Sequence, residues 1–115
     1  MIFDNTGLDG LKCDLAYMDE TAEKAGFFRW QWEYYRATYE YKIDDKSNKS
    51  EYFVRINTRA VEGKLEDPDT ILEVEGVYMG KATFPHGLDY ETPIPGPILI
   101  IANKKLEQFK TMLEA

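Results

Sequence analysis

The strongest constraint on the fold of this chain is a regular alternation of apolar and polar side chains through its central part. Two runs show it: Tyr52, Val54 and Ile56 alternate with Arg55, Asn57 and Arg59, and Leu72, Val74, Gly76 and Tyr78 alternate with Glu73, Glu75 and, less regularly, Val77. Successive side chains of a β-strand point to opposite faces of a sheet, so this pattern predicts strands with one buried face. Such a sheet needs a second layer to cover its apolar face.

The preceding segment, residues 28–43, has the same period but changes phase midway. Its large apolar residues occupy even positions at first and odd positions afterwards: Phe28, Trp30, Trp32 and Tyr34, then Tyr35, Ala37, Tyr39, Tyr41 and Ile43. One uninterrupted strand does not explain this change. Either a bulge lies near Tyr34-Tyr35, or a tight turn there begins a second strand. No Asn-Gly or Asp-Gly pair marks a turn, so both alternatives stay open.

Two amphipathic helices flank the strands and can supply the second layer. Asp14 suits the N-cap and Gly26 the C-terminal cap of a first helix, whose apolar residues recur at helical spacing: Leu15, Met18, Ala22 and Ala25. A second helix is predicted to begin at Pro97. An arc of about 140° on its surface carries Ile98, Ile101, Ala102, Leu106, Phe109, Met112 and Leu113. Lys105 lies in the same arc, and we expect its ammonium group to reach water.

These elements predict an α+β fold. The chain has 115 residues, the length of one domain, and is 43% hydrophobic, which is enough for a core. The connections between the strands are too short for helical crossovers, so the sheet should be mainly antiparallel. We expect a single domain over residues 1–115, with four to five strands and two helices packed on one face. Residues 84–97, rich in proline, should form an ordered but irregular loop.

Charge and cysteine content limit the classes of partner that this chain can bind and indicate its cellular compartment. The net charge of −7 repels phosphate backbones, which makes nucleic-acid binding unfavourable. The single Cys13 cannot form an internal disulfide, and the N-terminal residues do not resemble a signal peptide. The longest apolar run, Pro97 to Ala102, is too short to span a membrane. We therefore expect a cytoplasmic protein that does not bind membranes.

Three stretches also carry a family resemblance. They are Trp32-Glu33-Tyr34-Tyr35-Arg36-Ala37-Thr38-Tyr39-Glu40-Tyr41; Val54-Arg55 leading to Ala60-Val61-Glu62-Gly63; and Gly80 followed by Phe84-Pro85-His86-Gly87-Leu88-Asp89-Tyr90. In these stretches the chain resembles the YugN-like family of small bacillar proteins. The resemblance covers nearly the whole chain and implies a cytoplasmic α+β domain from a low-GC Gram-positive bacterium. It implies no biochemical function and supplies no functional residues.

His86 and Cys13 are the side chains from which catalysis could be built. His86 lies in a sequence typical of a type I turn and is the only side chain expected to titrate near neutral pH. It could act as a general acid or base, but we favour a turn histidine without a catalytic role. Cys13 precedes the first predicted helix, whose dipole would lower its pKa, and only His86 could complete a thiolate–imidazole pair. We favour a buried, unreactive thiol.

Arginines on the polar strand faces are candidates for binding a ligand. If their strands are neighbours, Arg29, Arg55 and Arg59 could bind a small anion, with Asn57 between the last two. The alternative, which we favour, is cross-strand pairing with Glu33, Glu73 and Glu75 on an exposed face. The predicted ligand-binding residues are Arg55, Asn57, Arg59 and His86.

The aromatic residues suggest an interface. Trp and Tyr crowd into residues 30–41, and such residues are common where subunits meet. Tyrosines on both faces of a strand need cover on both sides, which a partner subunit could provide. The change of phase explains them equally well. We predict Tyr35, Tyr39 and Tyr41 as interface residues.

No catalytic signature is present. The sequence contains no P-loop, G-x-G-x-x-G, C-x-x-C, G-x-S-x-G or H-E-x-x-H motif, and we assign no catalytic residue, metal or cofactor. The leading hypothesis is a non-enzymatic binding or interaction module that forms a homodimer through a Tyr- and Arg-rich surface. The alternative is a small enzyme or a sensor of a small anionic metabolite, with a pocket between the sheet and the helices near His86.

Overall fold

The alternating segments and their flanking helices form a layered fold. The computed structural model describes residues 1–30, 33–47, 49–83 and 87–114, without the side chain of Trp30. These residues contain two helices, α1 (Leu15–Ala25) and α2 (Gly96–Glu114). They also contain six strands: β1 (Lys12–Asp14), β2 (Phe28–Trp30), β3 (Arg36–Asp45), β4 (Ser50–Glu62), β5 (Ile71–Ala82) and β6 (Leu88–Asp89).

The strands form one antiparallel sheet in the order β1-β5-β4-β3-β2, and β6 also pairs with β5. The long strands β3, β4 and β5 make two consecutive hairpins at its centre. The short strands β1 and β6 pair with opposite ends of β5. The predicted α+β class with a mainly antiparallel sheet is confirmed. The sheet has more strands than predicted because β6 forms inside the segment 84–97, where only a loop was expected.

Of the two alternatives for the segment 28–43, a second strand is confirmed and a bulge within one strand is not. β2 and β3 are separate antiparallel strands, with Phe28 opposite Glu40 and Arg29 opposite Tyr39. The expected faces of β2 were wrong: Phe28 is 55% exposed, whereas Arg29 lies on the helix side, 3.5 Å from Asp19. The buried residue is Phe27, because its ring packs on Phe109 of α2. Trp32 lies outside the described residues.

β5 contains a bulge that the sequence pattern did not reveal. Asn57 pairs with Gly76 and Thr58 with Val74, so Glu75 is an extra residue on β5. Side chains before and after it therefore alternate in opposite phase, and the core receives Leu72 and Val74, then Val77 and Met79. The prediction that Tyr78 continues the buried series was wrong. Its ring lies on the other face of the sheet.

Helix α1 packs as its sequence predicts, whereas α2 departs from the prediction at Ile101 and Lys105. The Asp14 carboxylate caps α1 by accepting a hydrogen bond from the Tyr17 amide at 2.7 Å, and Gly26 ends α1 with a φ of 90°. The expected apolar stripe of α1 is buried. In α2 the buried residues are Ile98, Ala102, Leu106, Phe109 and Leu113, whereas Ile101 is 40% exposed. The Lys105 ammonium lies 3.2 Å from the Ala25 carbonyl and over the Tyr41 ring, rather than in water.

The core lies between the helices and one face of the sheet. Buried residues of α1, α2, β3, β4 and β5 form a single hydrophobic cluster, and the Phe109 ring of α2 contacts Phe27 and Tyr39. The prediction that both helices cover one face is confirmed. We call the opposite side of the sheet the open face. Among the described residues, no helix is both long and apolar enough to cross a membrane.

Candidate ligand-binding site

Alternation along β4 places Arg55, Asn57 and Arg59 side by side on the open face. The strand register sets their neighbours, because residues opposite each other in an antiparallel pair share a face. Arg55 lies between Glu40 of β3 and Tyr78 of β5. Two residues further along, Asn57 lies between Thr38 and Gly76. The three predicted β4 residues therefore do share one face, whereas Arg29 lies on the helix side and is separate from them.

An ion pair between Arg55 and Glu40 lies at the centre of the open face. Arg55 Nε donates to Glu40 Oε1 at 3.0 Å, and Arg55 Nη1 donates to the Tyr90 hydroxyl at 3.2 Å. Only 9% of the Glu40 side chain and 27% of the Arg55 side chain are exposed. Burying a carboxylate is unfavourable unless a partner compensates, and the Arg55 guanidinium is the cation that contacts Glu40 here.

The other polar side chains of the open face form ion pairs and a hydrogen bond with one another, and most of them are exposed to solvent. Arg36 contacts Glu75 at 3.1 Å and Glu33 at 3.2 Å, while Arg59 Nε lies 3.9 Å from Glu75. These groups are substantially exposed, and such pairs contribute little to stability. Thr38 donates to the Asn57 side-chain carbonyl at 3.1 Å. The cross-strand pairing favoured from the sequence therefore describes Arg59, whereas Arg55 is buried with a carboxylate that was not considered.

Two concavities adjoin Arg55, one on each side. The larger concavity has a volume of about 650 Å³ and is lined by residues that include Glu40, Lys49, Glu51, Phe53, Arg55 and Leu88. The smaller concavity, of about 290 Å³, is lined by Arg36, Thr38, Asn57, Tyr78 and Tyr90 as well as Arg55. Arg59 lines neither. Both concavities lie on the open face rather than between the sheet and the helices, where the pocket was expected.

The segment after β5 forms one rim of the larger concavity. A Cβ atom added at Gly80 would lie 3.1 Å from both the Asp89 carbonyl and Leu88 Cβ, so glycine permits the close approach of this segment. Asp89 fixes the following turn by accepting hydrogen bonds from the Thr92 hydroxyl and from the amides of Glu91 and Thr92. These bonds, the hydroxyl contributing most, hold the pKa of Asp89 below its usual value.

His86 lies outside the described residues. Its described neighbours Thr83 and Gly87 both line the larger concavity, and the Thr83 amide donates to the Gly87 carbonyl at 2.8 Å. The segment that carries the predicted histidine therefore begins and ends at this concavity. The possible contact between Cys13 and His86 also falls outside the described residues.

The predicted interface tyrosines lie in three different environments. Tyr39 is fully buried, and its hydroxyl donates to Asp19 at 2.7 Å. Tyr41 is half-buried against Phe27 and Lys105. Only Tyr35 is largely exposed, at 50%. The packing of this chain's own helices against β3 therefore withdraws Tyr39 from any contact between subunits.

Cys13 lacks the features of a reactive thiol. It is half-buried in β1, opposite Leu72. Burial, together with the charges of Asp14 and Asp19, raises its pKa to about 12. The direction is opposite to the one expected from the dipole of α1, and the interpretation as an unreactive thiol stays a prediction. Within the described residues, no group of three or more His, Cys, Asp and Glu side chains could hold a metal ion.

Sequence reasoning missed Glu40 and Tyr90. Glu40 interrupts a run of tyrosines, between Tyr39 and Tyr41, and a hairpin through residues 46–49 places it opposite Arg55. A carboxylate between two aromatic residues of a strand was the available signal. Tyr90 reaches Arg55 from a separate segment, and no local pattern indicates that contact.

The fold and the open face define a class: small α+β proteins with two helices on one side of an antiparallel sheet. The chain belongs to the YugN-like family, whose profile matches residues 5–113, so the resemblance noted in the sequence is confirmed. It is 29% identical over 104 residues to the uncharacterized protein YlbA of Bacillus subtilis (strain 168), an alignment that covers 90% of this chain and 85% of YlbA.

A crystal structure supports the fold. It is that of the uncharacterized conserved protein YugN from Geobacillus kaustophilus HTA426. The two structures superpose with a TM-score of 0.85 at 31% sequence identity, and the match covers 99% of this chain and 95% of YugN. The long strands and both helices are therefore features that this chain shares with a solved relative.

Proposed function

We propose that this protein is a non-enzymatic binding module that holds a small charged metabolite on the open face of its sheet. The observation that carries this proposal is the ion pair of buried Glu40 and partly buried Arg55, which lines a concavity of about 650 Å³. Small-molecule sites are usually concavities of about this size in which polar groups orient the ligand beside apolar walls, and here Phe53 and Leu88 lie beside the ion pair.

The position of the pair favours binding over stability. A buried ion pair is seldom more stabilising than apolar residues of the same volume, because both charges lose their hydration. The exposed pairs of Arg36 and Arg59 on the same face avoid that loss. Stability of the fold therefore does not explain why this pair is present. Binding of a ligand whose charged groups pair with Arg55 and Glu40 does explain it.

The predicted ligand-binding residues have different places in this proposal. Arg55 borders both concavities and Asn57 the smaller one, so both can contact a ligand. Arg59 lines neither concavity, although its partner Glu75 lines the smaller one, and it serves as the control. His86 stays a candidate because its neighbours line the larger concavity. A cytoplasmic location is part of the proposal, since a lone cysteine suits a reducing compartment.

The test is saturation-transfer NMR with pooled anionic and zwitterionic metabolites. Three proteins are compared: the wild type, Arg59→Gln, and a double variant Glu40→Gln/Arg55→Gln that leaves no unpaired buried charge. We expect signals from the same compounds with the wild type and Arg59→Gln, and their loss with the double variant. Equal binding by all three proteins, or no binding by the wild type, contradicts the proposal.

Self-association is the second candidate function. Large aromatic rings are exposed on β2 and on the connection to β3: Phe28 at 55%, Tyr34 at 55% and Tyr35 at 50%. β2 is the last strand in the order of the sheet, so a second copy could pack on this side. The expected result in light scattering at micromolar concentration is twice the chain mass of 13.4 kDa. A monomer in the wild type, or an unchanged dimer in Phe28→Ser/Tyr35→Ser, rejects this candidate.

A further inference from the structure

We propose that the larger concavity binds a free α-amino acid with an apolar side chain, with Glu40 accepting from its ammonium group and Arg55 facing its carboxylate. This inference rests on the proposed function and names the ligand class. Three properties of the described lining support this ligand class: its balanced charges, the incomplete hydrogen bonding of Glu40, and its apolar walls.

The charges that line the larger concavity balance. Arg55 and Lys49 contribute two positive groups, and Glu40 and Glu51 contribute two negative groups. A simple anion would face the Glu40 carboxylate, and a simple amine would face the Arg55 guanidinium. A ligand that carries one charge of each sign and no net charge can pair with both. The free amino-acid backbone at neutral pH has this property.

Glu40 has an unused acceptor. A carboxylate can accept about four hydrogen bonds. Within the described part of the chain, Arg55 Nε donates to Oε1 of Glu40, and Oε2 accepts no direct hydrogen bond. The side chain is nevertheless 9% exposed. A buried oxygen without a donor is unfavourable, and it is satisfied when a ligand ammonium group reaches it from the concavity.

The remaining wall selects an apolar side chain. Phe53, Ala82 and Leu88 line the concavity beside the ion pair. Phe53 lies on the open face because it faces away from buried Tyr52 and Val54, and its strand partner is Gly80. Apolar atoms that pack on these side chains leave water, which favours binding by about 25 cal/mol for each Å². A ligand with a polar or charged side chain would gain no binding free energy from this wall.

The experiment compares L-leucine with two analogues that each lack one charge. They are 3-methylbutylamine, without the carboxylate, and 4-methylpentanoate, without the amine. Calorimetry and ligand-observed NMR also include L-methionine and L-phenylalanine. We expect at least one of the three amino acids to bind the wild type, with L-leucine binding about tenfold or more tightly than either analogue, because each lost charge removes a charge-assisted hydrogen bond.

Glu40→Gln keeps the shape of the side chain and removes its charge. In this variant we expect the affinity for L-leucine to fall about tenfold and that for 4-methylpentanoate to rise, because residue 40 then no longer repels the carboxylate of the ligand. A variant that merely unfolds cannot reverse a preference in this way. Glu75→Gln is the matched control: the same substitution on the same face, beside Arg36 and Arg59 but outside the larger concavity, with no expected change.

Three outcomes overturn the inference, and they have different meanings for the proposed function. If the wild type binds 4-methylpentanoate as tightly as L-leucine, and binding depends on Arg55, the site takes simple anions and the binding module stands without the amino acid. If none of the three amino acids binds and the pooled metabolites also give no signal, both proposals fail. Unchanged selectivity in Glu40→Gln also rejects the inference.

Discussion

Three consecutive residues of β3 show how strongly the surroundings of one side chain differ from those of the next. Tyr39 is buried under the helices, Glu40 is buried on the open face, and Tyr41 is half-buried beside Lys105. The tyrosines share one face because a strand has a period of two. Glu40 occupies the opposite face, where Arg55 is the cation that contacts it among the described residues. Glu40 therefore belongs to the candidate ligand site, whereas the tyrosines on either side of it face the helices.

At the same scale, the environment of Cys13 predicts slow thiol chemistry. A pKa of about 12 instead of the usual 9.0 reduces the thiolate fraction at pH 8. The native protein should therefore react with Ellman's reagent about a thousandfold more slowly than the protein unfolded in guanidinium. The two rates are measured by absorbance at one pH. A native rate close to the unfolded rate would show that the thiol is not protected.

The helices were more predictable than the strands because their ends carry local chemical signals. Asp14 and Gly26 mark both ends of α1, and the caps depend on residues within one turn of the chain. β2 has no such signal. Which of its faces is buried depends on Asp19 and Phe109, which are distant in sequence, so the expected faces were inverted. Patterns within a strand give its period, whereas contacts between elements decide its phase.

Gly26 gives a prediction at the scale of the element. An added Cβ would lie 3.1 Å from the Tyr41 ring at a φ of 90°, so Gly26→Ala combines backbone strain with a steric contact. We expect a loss of about 1–3 kcal/mol in the free energy of unfolding, measured in urea.

Gly10→Ala is the control for that prediction. Gly10 has a similar φ of 85°, but no atom lies within 4 Å of its added Cβ. Its loss should be smaller, about 1 kcal/mol, because only the backbone strain applies. Equal losses in the two variants would mean that the Tyr41 contact relaxes and that the conformation of the cap accounts for the whole effect.

At the scale of the whole molecule, the sequence predicted the class of fold but only half of the site. Alternation on β4 identified Arg55 and Asn57, because a strand keeps every second residue on one face. It did not identify Glu40 as the partner, since that pairing depends on the register between two strands. The pocket expected between the sheet and the helices stays a prediction, and a concavity of about 360 Å³ does lie between α1 and the strands β2 and β3. The two concavities beside Arg55 lie on the open face instead.

Net charge gives a prediction about self-association. Two chains that each carry −7 repel one another, and salt screens such repulsion. If the exposed rings of Phe28 and Tyr35 hold two copies together, raising NaCl from about 50 mM to about 500 mM should strengthen the dimer several-fold. Sedimentation velocity at both salt concentrations measures the effect. A dimer that weakens in high salt would instead be held by ion pairs between the subunits.

Because of the bulge at Glu75, the number of residues in β5 decides which of its side chains face the core. With the extra residue, Val77 and Met79 lie in the core and Tyr78 packs edge-on against Tyr90. In a strand of strictly regular pairing, the same sequence would direct Tyr78 toward the helices and Val77 and Met79 toward water. A substitution in this strand alters one side chain. The insertion or deletion of one residue would instead turn each later side chain of the strand to the opposite face of the sheet.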